Sequence, residues 1–554
     1  MGKAEARGRT LRPDRPTLLL LVLLVGAGGY LLLLARSLWF FGDDWDFLLH
    51  RGLTGGERSL LQPHNEHWST LPIVAYRVLF HVAGLRHYLA YAALPIAVHL
   101  VSVALLYLLL RRLGTRPWVA LVALAPMLVL GAGAEDLLWD FQVGFLGPLP
   151  FALLAVLVLL RPVTRVSTLA VWVLLVAGLM CSGVGITMVF WVTVFTWARE
   201  SLRRAVVVGV VPAVVYVAWY LRFGDVGPRA PTPSVGDFLV ALARGVDSVW
   251  SEVLKVPGSG SVVVLALLVV VLRSRVDAPL RALALSGLAA LVPFYGLIAF
   301  TRAGLADDRP TVASRYVYLG VVLTLPALAM AIRVVADRLQ QRRRTSRVVG
   351  VVFVLAVLVV GVLETRSFHA DREVVIGSSR DVVVGAATLA TDGATLLSDH
   401  PDPTYAPDLT TELLTRPDVR AALPRDPSRA AELEASGALQ VGTSPSGLTL
   451  PVAPRVRLLR VSAQPATGDG CTTGVAQRQP LLVLPATPTG SKVRLTVEGR
   501  GVATVLAKGS RRSGLVQRVM APGVPTWIGT SAPGGSLRVH LPPGGFTVCT
   551  GAAS

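Results

Sequence analysis

The chain has 554 residues, of which 53% are hydrophobic and 16% charged, and its mean hydropathy is +0.59. Those values exclude an ordinary soluble enzyme and point to a polytopic membrane protein. The net charge of +19 comes from 53 Lys+Arg against 34 Asp+Glu. The arginines sit in short segments between apolar runs rather than in a basic module, which argues against nucleic acid as a partner and for the positive-inside rule.

In chain order, residues 1–16 form a basic N-terminus, MGKAEARGRTLRPDRP. The apolar run that follows, 17–37, is long enough to span a bilayer. It lacks a clear small-residue cleavage site, so it reads as a retained first helix rather than a signal peptide. Further apolar segments fall at 88–110, 118–132, 146–160, 167–181, 185–198, 205–221, 261–273, 282–300, 315–333 and 348–363. The length criterion gives about eleven spans and a transmembrane domain over 17–363. With the N-terminus inside, the inside segments are arginine-rich: RRLGTRP, RPVTR, ARESLRR, RSRVDAPLR and RVVADRLQQRRRTSR. The outside loops, 38–87, 133–145, 222–260 and 301–314, include the acidic stretches FGDDWDF, GAEDLLWDFQ and GLADDRP. This alternation supports a multi-pass protein of the cytoplasmic membrane. An odd number of spans places the rest of the chain outside.

The remainder changes character. Residues 364–438 mix strand-like and helical pieces. From 439 to 554 short alternating strands are separated by turn residues, which predicts a β-sandwich-like module. The fold class is therefore mainly α: a polytopic transmembrane helical bundle with a C-terminal extracytoplasmic β-rich module. Of the three cysteines, Cys181 lies in an apolar segment. Cys471 and Cys549 lie in the outside module, where an oxidising compartment permits a disulfide between the module's start and its last strand.

Candidate chemistry gathers in the outside loops. Asp43, Asp44 and Asp46 follow the first span, interleaved with Trp45 and Phe47. Their plain reading is a solvated helix end or an amphipathic segment at the interface. The same loop carries His64, Glu66 and His67 beside Trp68. These are metal-ligand and proton-transfer residue types, but H-N-E-H has no specific metal spacing. Glu135 and Asp136, with Asp140 beyond, repeat the acid-and-tryptophan theme in the second loop. Converging carboxylates could hold a divalent cation through oxygen ligands, or one could act as a general base. Arg302, Arg309 and Arg315 flank the last outside loop. An arginine fork suits a phosphate, and Arg315 at the start of a span faces a cavity or a headgroup rather than lipid.

The order FGDDWDF, then QPHNEHW, then the acids of the second loop, then SRYVY resembles the GT-C class of polytopic glycosyltransferases, over about residues 15–365. That class includes protein mannosyltransferases and the arabinosyl- and mannosyltransferases of bacterial envelopes. The resemblance implies a polyprenyl-phosphate-linked sugar as donor and an envelope glycan, lipid or protein as acceptor, with transfer on the outer face. It implies that Asp44, or its neighbour Asp43, activates the acceptor; Asp46 itself reads as solvated. It further implies that Glu135 and Asp136 assist or bind metal and that Arg315 meets the donor phosphate. His64, Glu66 and His67 match no general motif of the class. No cofactor is required by the sequence beyond a possible divalent cation.

Two other functions compete. A transporter or flippase of lipid-linked precursors keeps its polar groups at mid-membrane breaks. One candidate break exists, MCSGVGIT at 180–187, but ionisable residues are scarce mid-span. A non-catalytic envelope scaffold with a glycan-binding module would not need the aspartates at all.

Overall fold

The computed structural model describes residues 14–51, 58–224, 232–274, 278–303, 311–338, 343–391 and 400–428 except 403, and between 439 and 550 nine strands with short flanking segments. Its helices are α1 (Arg15–Ala35), α2 (Thr70–Ala83), α3 (Tyr88–Arg112), α4 (Pro117–Leu128), α5 (Ala134–Leu138), α6 (Val143–Leu146), α7 (Pro148–Leu159), α8 (Arg165–Leu179), α9 (Val184–Arg199), α10 (Leu202–Phe223), α11 (Val235–Leu254), α12 (Ser259–Arg273), α13 (Ala278–Arg302), α14 (Ser314–Arg338), α15 (Arg343–Thr391), α16 (Thr411–Thr415) and α17 (Pro417–Ala422). In hydrocarbon every backbone N–H and C=O must be paired within the chain, and a helix pairs them within one segment. Each apolar segment of the sequence accordingly falls on a helix.

Among the described residues seven helices are long and apolar enough to cross a membrane, or up to nine if each of two bent pairs is one span. The chain is thus a multi-pass membrane protein. The lower count than the sequence estimate has a geometric cause. The segments at 167–181 and 185–198 became α8 and α9, of 15 and 16 residues, each short of a full crossing. The segment at 118–132 is bent by 51° between α4 and the Gly131–Leu138 turns. The loop assigned to 222–260 contains the 20-residue α11, which joins α12 across a 100° bend. The boundary expected at 363/364 is crossed by α15, which continues as helix through the polar residues beyond Leu363 to Thr391.

The chain divides into two compact units. The first contains residues 1–37, 58–76 and 89–372. Its centre is α14, where every residue from Tyr316 to Ala327 is buried. A helix that is apolar all round is one packed all round, and α14 packs against α4, α5, α11, α12 and α13. Gly287 on α13 faces the backbone carbonyl of Leu323 on α14, and any Cβ there would collide with it. Small residues at such points let two membrane helices approach closely.

The second unit contains residues 38–57, 77–88 and 373–554. The acidic stretch after α1 folds into this unit. Asp46 and Arg51 form a buried ion pair, with Nε and Nη2 of Arg51 each 3.0 Å from Oδ2 of Asp46. The backbone between them is one wide helical turn, Asp46–His50, whose carbonyls are held by other arginines. Arg77 donates to the Leu48 carbonyl, and Arg416 donates to that of Leu49 at 3.0 Å. The solvated Asp46 and the interfacial Trp45 and Phe47 of the sequence reading are corrected: all three are buried. The carboxylate has its counter-ion five residues along the same turn.

The unit's strands are β1 (Leu439–Gly442), β2 (Arg457–Ala463), β3 (Cys471–Leu484), β4 (Ser491–Val497), β5 (Gly501–Lys508), β6 (Gly514–Met520), β7 (Thr526–Thr530), β8 (Ser536–His540) and β9 (Gly544–Cys549). They form one sheet, paired antiparallel throughout, in the order β1-β7-β4-β9-β3-β8-β5-β6, with β2 alongside β3. The long β3 pairs with β9 through its first half and with β8 through its last four residues. One strand therefore serves two groups of neighbours, as strands do where a sheet turns a corner. Leu482, Leu484, Val493, Leu495, Ile528, Val539, Phe546 and Val548 from both groups share one core. Cys471 and Cys549 face each other across β3 and β9 and are disulfide-bonded.

Two stability predictions follow from these contacts. The disulfide closes a separation of 78 residues, worth about 4 kcal/mol by loop-closure entropy. Cys549→Ser, or reduction, should therefore lower the unfolding midpoint of the β-rich module, read by near-ultraviolet circular dichroism. An unchanged midpoint would show that the bond contributes nothing. Asp46→Ala should destabilise by about 3–5 kcal/mol because it strands the buried Arg51 charge. Asp46→Leu combined with Arg51→Met should recover most of that loss in a thermal-shift assay.

Candidate functional site

Within the first unit, four segments meet at one end of the helices. They are the loop of residues 58–69, the turns from Gly131 to Gln142, the end of α13 and the start of α14. Arg315 lies in the first turn of α14. Its Nη1 donates to Oε1 of Glu135 at 2.7 Å, and its guanidinium lies 5.1 Å from the Tyr316 ring centroid. The loop is latched to the helix start by Ser314. That hydroxyl donates to the Ala132 carbonyl at 2.9 Å and accepts the Glu135 N–H at 3.3 Å. The neighbouring Asp136 is fully buried, and neither of its carboxylate oxygens has a hydrogen-bond partner among the described residues. Below it, Tyr318 shares a 2.8 Å hydrogen bond with Nδ1 of His99.

The electrostatics of this corner follow from the helix. The first turn of α14 carries the positive end of the helix dipole. Arg315 adds a full charge to the same place. Glu135 balances one cation, while the planar fork of the arginine keeps further N–H donors for another acceptor. The Gly131–Gln142 turns also carry Phe141, whose ring lies 5.3 Å from that of Trp139 and 5.3 Å from that of His64.

His64, Asn65, Glu66 and His67 form a tight reverse turn. The N–H of each histidine donates to the carbonyl of the other, at 3.0 and 2.9 Å. Asn65 takes the left-handed conformation at φ 50°, which asparagine tolerates better than most residues. Glu66 at the tip pairs with Arg302 at the end of α13, 2.9 Å away. Trp68 then stacks on Trp219 of α10 with ring centroids 5.0 Å apart. The His-Glu-His set is thus a turn tied to an arginine, not a convergent ligand set. No group of three or more metal-type side chains occurs among the described residues.

Two sequence candidates lie elsewhere. Asp43 is half-buried and Asp44 fully buried, both in the second unit. Oδ2 of Asp44 accepts the Phe41 N–H at 3.0 Å across a turn opened by Gly42 at φ 60°, and the Gly42 N–H donates to the Tyr405 carbonyl. Arg309 lies outside the described residues. The stretch MCSGVGIT is not a break inside a span but the turn joining α8 to α9, and its Met180 carbonyl accepts the Leu71 N–H at 3.1 Å. Sequence reading noted Tyr318 after Arg315 but missed Ser314. Its position beside Arg315 in SRYVY was the available signal.

No protein-family model and no curated protein matches the chain. Among solved structures, it is similar to ArnT from Cupriavidus metallidurans bound to undecaprenyl phosphate, with a TM-score of 0.45 and 14% identity over 79% of this chain and 96% of that one. It is similar also to the apo state of the same protein, with a TM-score of 0.43 and 13% identity over 80% and 97% of the two chains.

Proposed function

We propose that the chain is an integral membrane glycosyltransferase. It moves a sugar from a polyprenyl-phosphate donor to an envelope glycan, lipid or protein acceptor at the outer face of the cytoplasmic membrane. The observation that carries this reading is Arg315. A guanidinium at the N-terminus of a deeply packed helix, with donors to spare, is suited to a phosphate that arrives on a membrane lipid.

In the reaction, an acceptor hydroxyl oxygen bonds to the anomeric carbon as the bond from that carbon to the phosphate oxygen breaks. The electron pair of the broken bond leaves on polyprenyl phosphate. Arg315 stabilises that developing charge, and Glu135 holds its guanidinium in orientation. The proton of the acceptor hydroxyl goes to a carboxylate, the role the sequence resemblance gives to Asp44, with Asp43 its rival. Asp136 and Glu135 together offer too few ligands for an all-protein metal cage. They fit a divalent cation that keeps its waters and takes phosphate oxygens. Such an ion would add positive charge at the leaving group. His64, Glu66 and His67 shape the rim of the corner, and Arg302 is held there by Glu66.

A second reading, translocation of a lipid-linked precursor, is favoured by one feature, the polar 100° bend between α11 and α12, since transporters bind cargo at broken helices.

The test is turnover of purified protein with a panel of polyprenyl-phosphate sugars. Arg315→Ala should reduce kcat/KM about 100- to 1,000-fold, with Arg315→Lys intermediate. Asp44→Asn should cost at least about 100-fold. Absence of turnover with every donor in a folded preparation, together with flux of a labelled lipid precursor in proteoliposomes, would replace the transferase by the transporter.

A further inference from the structure

A cavity of about 960 Å³ opens at the α11–α12 bend. Arg244, Asp247, Ser251, Glu252 and Lys255 line it from one face of α11, at helical spacing, and Ser261 lines it from α12. Most of its wall by area is apolar, and Pro257 and Val312 contribute to it. We infer that the cavity holds the headgroup of a membrane phospholipid that carries a primary ammonium, with an acyl chain laid along α12. The inference does not rest on the transferase reading, because this lipid is neither donor nor acceptor.

The bend fixes these charges in place. Oδ1 of Asp247 accepts both the N–H and the hydroxyl of Ser261, each at 2.8 Å, and Oδ2 accepts the Ser251 hydroxyl at 2.9 Å. Any Cβ on Gly260 would collide with the Asp247 carbonyl, so glycine lets α12 start hard against α11. Lys255 takes the left-handed conformation at φ 56° to end α11. Its Nζ lies 2.8 Å from Oε1 of Glu364 on α15 and 3.5 Å from Oε2 of Glu252. One ammonium is thus shared between two carboxylates, and negative charge is left over at Glu252. Arg244, one turn before Asp247, is exposed and has no ion pair among the described residues.

The charges select the headgroup. An exposed guanidinium without a counter-ion suits a phosphate. The acids Asp247, Glu252 and Glu364 already outnumber the cations Arg244 and Lys255 here, so a phosphate alone would add to a negative excess. A headgroup with an ammonium beside its phosphate removes that excess by pairing with Glu252. A primary ammonium brings three N–H donors to the carboxylate, whereas a quaternary one brings none. The same balance disfavours polyprenyl phosphate in this cavity, since it carries the anion and no cation.

The apolar part of the ligand has its own track. Ser261, Leu265, Val269 and Leu272 recur at four, four and three positions along α12, which puts them on one helix face, and all four are exposed. In a membrane protein such an apolar stripe is covered by lipid, and here Ser261 of the cavity stands at its head. From Ser261 to Leu272 the stripe runs about 16 Å at 1.5 Å per residue. One leaflet of a 30 Å hydrocarbon core is about 15 Å deep. A headgroup seated at the bend therefore has an acyl-length apolar track directly beneath it.

The test uses the full-length protein in detergent micelles, given equal amounts of phosphatidylethanolamine, phosphatidylcholine and phosphatidylglycerol with matched chains and read by native mass spectrometry. Wild type should retain phosphatidylethanolamine about tenfold over either competitor. Glu252→Gln should bring it down to the level of the other two. Arg244→Ala should lower retention of all three about tenfold, roughly the factor carried by one charged hydrogen bond. The wild-type preference is read without any variant, so a variant that fails to fold does not leave the inference undecided. Equal retention of the three lipids by wild type overturns it. So does a preference that both folded variants keep, or displacement of the bound lipid by an equivalent of polyprenyl phosphate, which would give the cavity to the donor's carrier. Sugar transfer by the same preparation is a separate readout, and its loss or persistence bears on the transferase reading alone.

Discussion

Charge is costly in hydrocarbon, and this constraint arranges the rest of the first unit. A charged residue on a membrane helix must reach the helix end, face water or find a counter-ion. Helix α14 shows the rule in one element. It is buried from Tyr316 to Ala327, yet it begins with an arginine, and the only tolerable place for that arginine is the end of the bundle. Once there it calls for an acid, and Glu135 supplies it at 2.7 Å. The loop that brings Glu135 also brings Asp136, whose carboxylate oxygens have no hydrogen-bond partner among the described residues. An arrangement that is unavoidable for Arg315 thereby leaves a second carboxylate buried beside a cation. That asymmetry is where chemistry can act, because a satisfied pair alone would be a structural clamp.

The same constraint explains the bend between α11 and α12. Asp237, Arg244, Asp247 and Glu252 all lie on α11, and no straight membrane crossing could carry them cheaply. The chain turns by 100° instead and spends Asp247 on the first N–H groups of α12. An acid at a helix N-terminus is favourable on its own account. Here it also ties the start of α12 back to α11 through the Ser261 N–H.

Much of this could be read from residue patterns. The apolar segments lie on helices because twenty apolar residues have few alternatives in a bilayer. The Cys471–Cys549 bond was visible from two cysteines in similar strand-like settings. The pairing of late arginines with loop acids was visible in kind, though which acid meets which arginine was not. Other features were hidden for physical reasons. Helix α11 carries too many charges for an apolar-window reading, so it passed as a loop. Helix α15 runs through the expected boundary because Glu364, Thr365 and Arg366 change polarity without breaking a helix, and no glycine or proline follows until Gly377. Composition presented His64, Glu66 and His67 as a ligand cluster, whereas their geometry is decided by Asn65, the residue able to take a left-handed turn. Asp46 looked like its neighbours, yet its partner Arg51 is fixed by a wide helical turn that no periodicity announces.

Asp44 is held in place by the turn that it closes. Its Oδ2 is spent on the Phe41 N–H, which closes the turn after α1 and holds the carboxylate in one orientation. A carboxylate has about four lone-pair sites, so closing a turn and taking a proton do not exclude each other. On the proposed function, structural and chemical roles coexist on one side chain, and they come apart only with the right substitution. Asparagine at position 44 keeps an oxygen for the Phe41 N–H and loses the charge and most of the basicity. Alanine loses the turn as well. If the aspartate were only a turn-former, asparagine would be tolerated and alanine would not. If it is the base, asparagine alone is enough to stop transfer while the fold around Gly42 and Tyr405 persists.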